Sequence, residues 1–242
     1  MPDGGSAPPP SRRASFTVEP FTDACHAVWE QRRHAVLGVS PGNGYFNVAL
    51  LTELLGWACG EFARVDVVVP DSALEHTYLA LGYDLRRAAK KARGETNVLR
   101  NRVVRAWEAG GGPRASDGLH RMSELASNAA YRAGLAECER ALGEDDLLWE
   151  TCAEMSRDVL AARGHDGPLT TERVERAMRY LTAELPFFLA SADIFGVPSS
   201  LNFYHRRLPL AEVVFAGKSV LQAPPAQGYA TIRPAGRDPD RA

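Results

Sequence analysis

Two short apolar runs near the start of the chain flank a segment with helical periodicity. Residues 34–40 form the first run, which ends at the turn sequence Pro41-Gly42-Asn43-Gly44, and residues 65–69 form the second. Between them, apolar residues recur at helical spacing over residues 46–61. This order predicts a strand, a tight turn, a helix and a second strand. It is the start of a βαβ unit, whose parallel strands are covered by helices.

Ser40 falls at the carboxyl end of the first predicted strand. Ligands of βαβ folds collect beyond that edge of the sheet, so Ser40 is a candidate site residue. A serine at such a position also commonly caps the next helix or lines a turn. Ser40 by itself therefore decides nothing about function.

The remaining segments predict one α/β domain over residues 21–235. Helical patterns cover residues 24–33, 72–108, 122–163 and 171–185; the second is expected to break at Gly82 or Gly94. Thr170 can cap the last helix and Pro186 is expected to end it. Further strands are expected at residues 211–215 and 229–232 and after the turn at 196–200, while residues 1–20 and 236–242 are expected to be disordered.

Composition limits the class of protein. The chain of 242 residues is 45% hydrophobic with a formal net charge of −2, which favours a soluble domain with its own core. Its apolar runs are too short to span a bilayer and it shows no secretory signal, so we expect a cytoplasmic protein without a membrane partner. The 4 cysteines lie far apart with no Cys-x-x-Cys pair, which predicts buried free thiols and no metal site.

Positive charge is concentrated in one predicted helix. Between Asp84 and Glu108 there are 8 cations and 3 anions, a net +5, so the rest of the chain carries −7. A solvated helix face is the ordinary explanation of such a run. A phosphate backbone would select the same concentration of charge, because each cation placed near a phosphate releases counterions. The candidate nucleic-acid contacts are Arg86, Arg87, Lys90, Lys91, Arg100, Arg102 and Arg105.

Two further segments carry polar residues at suggestive spacing. Tyr180 and Glu184 are four residues apart on a predicted helix, so both project from the same side. The late segment Pro198-Ser199-Ser200 is followed by Tyr204-His205.

Taken together, three separated motifs resemble those of the cyclodipeptide synthases. They are the Gly-x-Ser-x-Gly-Asn-x-Tyr-Phe loop at residues 38–46, the Tyr-x-x-x-Glu helix at 180–184 and the Ser-Ser-x-x-x-Tyr segment at 199–204. The resemblance extends over roughly residues 25–235, and Asn43 with Tyr204-His205 is similar to the Asn-Tyr-His branch of that family. It implies a single Rossmann-like domain, a parallel sheet flanked by helices, like the catalytic domain of class I tyrosyl- and tryptophanyl-tRNA synthetases.

The resemblance also implies a reaction. Cyclodipeptide synthases join two amino acids, each already esterified to tRNA, into a 2,5-diketopiperazine through an aminoacyl-serine and a dipeptidyl-serine. The chain lacks the ATP-handling signatures of the synthetases, a His-Ile-Gly-His-like turn and a Lys-Met-Ser-Lys-Ser-like loop. That absence agrees with a pre-activated substrate, so we expect no cofactor, ATP or metal. Two aminoacyl-tRNAs per product are the expected partners, DNA is not, and both a monomer and a dimer remain open.

The family resemblance assigns roles to individual residues. Ser40 would be the nucleophile, Glu184 and Tyr180 would hold the α-ammonium of the first amino acid, and Tyr204 would relay a proton or hold the intermediate. Without the other motifs, Tyr180 and Glu184 would be an ordinary half-buried tyrosine and a helix-surface carboxylate. Asn43 and the turn amides around Gly42 are candidates for stabilising charge on the carbonyl oxygen, and His205 for orienting Tyr204.

The pocket for the first amino acid follows from the same resemblance. It would be lined by Val36, Gly38, Val68, Phe187 and Asn202. Gly38 would leave room for a large side chain, and the buried amide of Asn202 would favour a ligand that brings a hydroxyl or N–H group. We therefore expect tyrosine as the first amino acid, with tryptophan next.

Two other functions fit the same residues. One is a transferase or hydrolase that uses aminoacyl-tRNA and stops after a single transfer. The other is a tRNA-binding module without catalytic activity, which would use only the basic helix.

Overall fold

A computed structural model describes residues 16–110, 115–165 and 167–236. Within these ranges the chain forms one six-stranded sheet in the order β1-β6-β5-β2-β3-β4. Neighbouring strands are parallel except β1 and β6, which are antiparallel. The strands are β1 Phe16–Pro20, β2 His34–Gly38, β3 Arg64–Val69, β4 Leu119–Arg121, β5 Ser200–Tyr204 and β6 Gln227–Pro234.

Helices cover both faces of the sheet, and most of them begin at a residue suited to cap a helix. Asn47, Asp84, Asn128, Asp145 and Thr170 each accept a hydrogen bond from a backbone N–H in the first turn of the helix that follows. The helices are α1 Asp23–Gln31, α2 Val48–Glu61, α3 Leu74–Ala80, α4 Leu85–Ala109, α5 Ala115–Gly118, α6 Met122–Leu125, α7 Ala129–Glu144, α8 Asp146–Ala162, α9 Thr171–Phe195 and α10 Pro209–Val214.

The predicted βαβ unit is confirmed as β2, α2 and β3. Strands β2 and β3 pair in parallel with Val36 opposite Asp66 and Gly38 opposite Val68. Their side chains alternate between faces: Leu37 and Val67 pack in the core beneath α2 and α4, whereas Val36 and Val68 contact Phe187 of α9 in a second core. The helix that carries Tyr180 and Glu184 therefore lies on the face toward which Val36 and Val68 point.

The break expected in residues 72–108 occurs at Gly82. Helix α3 ends at Ala80, Gly82 adopts a positive φ of 92°, and α4 begins after its cap Asp84. Gly94 remains inside α4. Helix α4 therefore carries all 8 cations counted between Asp84 and Glu108.

The expectation that Pro186 ends the last helix is wrong. Helix α9 continues to Phe195, with its irregularity at Ala190 (φ −133°, ψ 19°). Proline removes one intrahelical hydrogen bond, but the residues that follow bury a row of apolar side chains, including Phe187 and Leu189. A Cβ atom on Gly134 of α7 would lie 3.4 Å from Cβ of Pro186, so the proline is also packed tightly against the neighbouring helix.

Two other local expectations are corrected by tertiary packing. Residues 211–215 lie largely in α10, not in a strand, because Pro209 suits the first turn of a helix and Leu210, Val213 and Val214 are buried on one side. The disorder expected for residues 1–20 is wrong for Phe16–Pro20, which pair with β6. Residues 1–15 and 237–242 lie outside the described residues. The strand expected at residues 229–232 is confirmed within β6.

The four cysteines are free thiols, as expected; Cys25, Cys138 and Cys152 are buried and Cys59 is partly exposed. Among the helices that the structure describes, none has a stretch long and apolar enough to cross a bilayer.

Candidate active site

Ser40 lies two residues beyond β2, in a tight turn. The backbone N–H of Asn43 donates to the Ser40 carbonyl at 3.3 Å and closes the turn over Pro41 and Gly42. Gly42 adopts a φ of +75°, which the third position of a type II turn requires and which side chains disfavour. The turn leaves the Ser40 side chain partly exposed at the carboxyl edge of the sheet.

Tyr204 ends strand β5, the parallel neighbour of β2, so the sheet itself brings it beside Ser40. Its hydroxyl lies 2.7 Å from Ser40 Oγ, within hydrogen-bond distance. Burial raises the pKa of Tyr204 above its ordinary value, although the bond to Ser40 opposes that change. Tyr204 is therefore protonated near neutral pH and suited to pass a proton along a hydrogen bond.

Tyr180 and Glu184 occupy successive turns of α9, and the Tyr180 hydroxyl donates to Glu184 Oε1 at 2.9 Å. Burial raises the pKa of Glu184 to about 7, and the bond from Tyr180 only partly offsets this. Burial, together with the nearby carboxylate, raises the pKa of Tyr180 well above its ordinary value. The pair therefore consists of a neutral phenol and a carboxyl group that loses its proton at a higher pH than an exposed glutamate does.

A single cavity of about 550 Å³ brings these groups together. It lies between the carboxyl ends of the parallel strands and helix α9, where ligands of such folds bind. The predicted site residues in its wall are Ser40, Tyr180, Glu184, Tyr204, Val36, Gly38, Asn43, Val68, Phe187 and Asn202.

Two of the predicted pocket residues have protein partners that the sequence did not indicate. The Asn202 side chain donates to the carbonyl of Phe187, and the Ser191 hydroxyl lies 3.3 Å from Asn202 Oδ1. The amide is therefore partnered before any ligand enters. A Cβ atom on Gly38 would lie 3.0 Å from the Phe203 carbonyl oxygen and 3.1 Å from the Tyr204 ring, so the space it leaves accommodates the protein's own tyrosine.

Asn43 and His205 support the site from one side. Asn43 Oδ1 accepts from the backbone N–H of Tyr45 at 2.9 Å, and Nδ2 lies 3.2 Å from Nε2 of His205. Burial lowers the pKa of His205 to about 4, so the ring is neutral and Nε2 accepts that bond. His205 stacks on Tyr45 with ring centroids 4.3 Å apart and lies outside the cavity wall. The geometry makes His205 a support for Asn43 as well as a neighbour of Tyr204.

The structure also places three unpredicted charged residues in the cavity wall, Glu95, Arg163 and Arg206. Arg163 Nη2 lies 3.0 Å from Glu95 Oε2, and the same nitrogen donates to the Pro41 carbonyl at 3.3 Å. In the sequence, Glu95 stands out only as the one acidic residue between Arg86 and Arg105. Nothing in the sequence indicates that Arg163 would be its partner.

The basic residues of α4 lie on the side away from the core. The buried residues of this helix include Ala88, Ala92, Leu99 and Val103, which leaves the cations on the opposite side. Arg86, Arg87, Lys90, Lys91 and Arg105 are exposed, and Arg100 and Arg102 are partly buried. From the first of these residues to the last, the helix extends about 28 Å.

Within the residues that the structure describes, no group of three or more His, Cys, Asp and Glu side chains is arranged to hold a metal ion.

Comparison with known proteins settles the family. The family model described as cyclodipeptide synthase matches residues 16–234, nearly all of the described chain. The chain belongs to the cyclodipeptide synthase family. The predicted resemblance and the predicted Rossmann-like α/β fold, with its parallel strands and flanking helices, are both confirmed.

Individual members of the cyclodipeptide synthase family align with this chain over most of their length. The cyclo(L-tyrosyl-L-tyrosyl) synthase of Mycobacterium tuberculosis is 37% identical over 96% of this chain and 81% of that protein. The cyclo(L-leucyl-L-leucyl) synthase of Bacillus subtilis is 32% identical over 92% of this chain and 91% of its own. A solved Mycobacterium tuberculosis structure aligns with a TM-score of 0.78 and 36% identity, covering 93% of this chain and 98% of that one; it was reported as demonstrating that cyclodipeptide synthetases are related to type I tRNA synthetases.

Proposed function

We propose that this cyclodipeptide synthase joins the aminoacyl groups of two aminoacyl-tRNAs into a 2,5-diketopiperazine by covalent catalysis at Ser40. One observation carries the proposal. Ser40 Oγ lies 2.7 Å from the Tyr204 hydroxyl in the wall of a cavity that also holds the Tyr180–Glu184 pair. The proposed nucleophile, proton relay and ammonium anchor thus line one space large enough for an aminoacyl group.

The first step is an ester exchange. Ser40 Oγ attacks the ester carbonyl of the first aminoacyl-tRNA, the bond to the terminal ribose oxygen breaks, and the tRNA leaves with the proton that Ser40 gives up. Tyr204 is placed to move that proton because its hydroxyl already shares a hydrogen bond with Ser40 Oγ. One ester replaces another, so the exchange needs no external energy source.

The Tyr180–Glu184 pair would hold the α-amino group of the bound residue. An ammonium beside Glu184 favours the ionised carboxylate, which lowers the pKa of Glu184 from about 7 when substrate binds. Burial nevertheless makes the Glu184 carboxylate a stronger base than an exposed one, so it is suited to take the proton that the ammonium must lose before it can act as a nucleophile.

Two amide bonds complete the product. The amine of aminoacyl-Ser40 attacks the ester carbonyl of a second aminoacyl-tRNA, which gives a dipeptidyl ester on Ser40 and releases the second tRNA. The free amine of the dipeptide then attacks the Ser40 ester carbonyl, the ring closes, and Ser40 Oγ leaves with a proton. Asn43 and the turn amides around Gly42 are the proposed groups that stabilise the charge developing on this carbonyl oxygen.

Tyrosine is the proposed first amino acid, with tryptophan next. The walls of the proposed pocket are apolar at Val36, Val68 and Phe187, with the Asn202 amide as its polar group. Asn202 Nδ2 carries two hydrogens, and the bond to the Phe187 carbonyl uses one, which leaves the other for a ligand hydroxyl. Identity of 37% to a cyclo(L-tyrosyl-L-tyrosyl) synthase supports the same choice. A clear preference for phenylalanyl-tRNA in direct competition would contradict it.

The exposed cations of α4 are the proposed tRNA-binding surface, and the cytoplasm, where charged tRNA occurs, is the proposed location. DNA and membranes are not proposed as partners.

The test is to incubate the protein with a panel of charged tRNAs and to analyse small molecules and intact protein by mass spectrometry. We expect a tyrosine-containing cyclic dipeptide and a tyrosyl adduct on Ser40. The Ser40→Ala variant should form neither and should bind tRNA as the unmodified protein does, because the side chain is small and lies in a turn. A fully active Ser40→Ala protein would refute covalent catalysis, and release of free amino acid alone would favour a single-transfer enzyme.

A further inference from the structure

The turn that carries Ser40 rests on a cluster of three hydrogen-bonded side chains from three separate segments of the chain, of which Arg163 bonds the turn directly. Arg163, just beyond α8, donates to the Pro41 carbonyl at 3.3 Å, to Glu95 Oε1 at 3.1 Å and Oε2 at 3.0 Å, and to the Tyr78 hydroxyl at 3.0 Å. Tyr78 of α3 in turn donates to Glu95 of α4. We refer to Arg163, Glu95 and Tyr78 as the clamp.

The clamp and the turn are packed without spare room. A Cβ atom on Gly42 would lie 3.1 Å from Glu95 Oε2 and 3.2 Å from Arg163 Nη2. These separations are shorter than ordinary van der Waals contact, so the backbone of the turn rests directly on the ion pair. Any shift of the Arg163–Glu95 pair therefore changes the space available to the residues that follow Ser40.

Charge keeps the clamp assembled. The side chains of Arg163 and Glu95 are only 20% and 29% exposed, so each needs the other to compensate for lost hydration. Burial alone would raise the pKa of Glu95, but hydrogen bonds from Arg163 and Tyr78 outweigh it and lower the pKa. Glu95 is ionised at neutral pH, and its two oxygens engage the guanidinium in the bidentate geometry that only arginine provides.

We propose that the Arg163–Glu95–Tyr78 clamp is a positioning device that keeps Ser40 Oγ aligned with Tyr204 and the Tyr180–Glu184 pair while one tRNA leaves and the next arrives. This inference rests on the proposed covalent mechanism. The ester on Ser40 must survive that exchange. Water can attack the same carbonyl, in which case the bond to Ser40 Oγ breaks and free amino acid leaves. A loosened turn gives water that opportunity and misaligns the amine.

The test compares Arg163→Gln, Arg163→Lys and Tyr78→Phe with the unmodified protein in steady-state assays on charged tRNA. For Arg163→Gln we expect kcat to fall by about tenfold to a hundredfold, with a change of less than about threefold in KM. The ratio of free amino acid to cyclic dipeptide should rise. Tyr78 does not line the cavity, and Tyr78→Phe keeps the ring. This variant should lower kcat and raise the ratio of free amino acid to cyclic dipeptide, both by less than Arg163→Gln does. Arg163→Lys should rescue only part of the loss, because lysine cannot bridge both Glu95 oxygens and Pro41.

Arg157→Gln is the matched control, since Arg157 also comes from α8 and pairs with Glu150 at 2.7 Å on the exposed side. It should leave kcat and the product ratio unchanged, and thermal unfolding of all variants shows whether each is folded. A raised KM with unchanged kcat in Arg163→Gln would overturn the clamp in favour of direct substrate contact. An unchanged product ratio in folded Arg163 and Tyr78 variants would also overturn it. If the unmodified protein forms neither cyclic dipeptide nor acyl-Ser40, it is the proposed function that fails.

Discussion

At the scale of single residues, Glu184 lowers the stability of the folded protein when it is ionised, although the proposed reaction needs its carboxylate. Its carboxylate lies in the wall of a largely apolar cavity with the Tyr180 hydroxyl as its hydrogen-bond partner, and burial raises its pKa from 4.5 to about 7. The folded protein therefore binds this proton more tightly than the unfolded chain does. The stability that this preference provides is present below pH 4.5 and is lost as the pH rises toward 7.

Glu184→Gln should accordingly raise stability while abolishing function. At pH 8 the amide removes a buried charge, so we expect the free energy of unfolding to increase by on the order of 2 kcal/mol. Product formation should fall to background, because a neutral amide neither binds the ammonium ion strongly nor accepts its proton. In the unmodified protein kcat/KM should rise with pH up to about 7, as Glu184 ionises in the free enzyme.

Denaturant unfolding at pH 5 and pH 8, together with product assays, checks this prediction. Glu175→Gln, an exposed position on the same helix, is the matched control and should change neither quantity. Parallel losses of stability and activity in Glu184→Gln would instead indicate a structural role for the carboxylate.

The central site residues could be predicted from sequence because the chain carries the three motifs of a known family, and their places in the helices and strands explain why they meet. Tyr180 and Glu184 are one helical turn apart, and Ser40 lies just beyond β2 while Tyr204 ends its parallel neighbour β5. The partners of Arg163 and Asn202 could not be predicted in the same way. Arg163 and Glu95 are 68 positions apart in the sequence and meet only because three helices pack together behind the turn.

At the scale of elements, α4 is an amphipathic helix whose exposed charged residues are all basic except Glu108. Its cations are spread along roughly 28 Å of one helix and face away from the core, as a surface that follows an RNA backbone requires. Replacing Arg86, Arg87, Lys90 and Lys91 together by glutamine should weaken tRNA binding by at least about tenfold at low salt and should reduce the salt dependence of the binding constant.

Filter binding at several salt concentrations measures both effects. The control is the pair Arg140→Gln and Arg157→Gln, which removes exposed cations of α7 and α8 that are already paired with Glu144 and Glu150. The control protein should bind nearly as the unmodified protein does. Unchanged affinity and salt dependence in the α4 variant would make this side an ordinary solvated helix face.

Two elements differ from their sequence-based predictions because tertiary packing overrides a local signal. Pro186 signals a helix end locally, yet α9 continues because its far half is buried and because Gly134 lets the proline pack closely. The run at 211–215 is apolar enough for a strand, yet Pro209 suits the first turn of a helix and most of the run folds as part of α10. Local patterns fix most elements of this chain, while tertiary contacts decide those whose local signals conflict.

At the scale of the whole molecule, the two ends of the parallel strands carry different groups of residues. The cavity lies at their carboxyl ends, whereas a buried ionic network lies toward their amino ends. Asp66 of β3 is fully buried and accepts from His34 and His120 at 2.7 Å each and from Arg64 at 2.7 Å. His34 Nδ1 lies 2.9 Å from the Ser200 hydroxyl, so one carboxylate ties β2, β3, β4 and β5 together.

Asp66 should therefore determine how the whole sheet responds to acid. Burial alone would raise the pKa of Asp66, but hydrogen bonds from His120 and His34 and the charge of Arg64 outweigh it and hold the pKa well below its usual range. For a lowered carboxyl pKa, the added stability is present above the unfolded-state pKa of 3.8 and is lost as the pH falls below it. Asp66→Asn should remove this contribution and should cost about 3 to 5 kcal/mol at pH 7, since His34, His120 and Arg64 lose the buried carboxylate that accepts their hydrogen bonds.

Urea unfolding between pH 3 and pH 7 measures the free energy of unfolding of the two proteins. Their stabilities should begin to converge as the pH falls below 3.8, because the unfolded chain of the unmodified protein then binds a proton at Asp66 that the folded protein does not. Glu61→Gln is the control: its exposed pair with Arg32 spans a similar 3.0 Å, and its loss should cost less than about 1 kcal/mol. Asp66 does not line the cavity, so the folded fraction of Asp66→Asn should retain the kcat of the unmodified protein. A constant stability difference at every pH would mean that packing, and not the ionic network, makes Asp66 important.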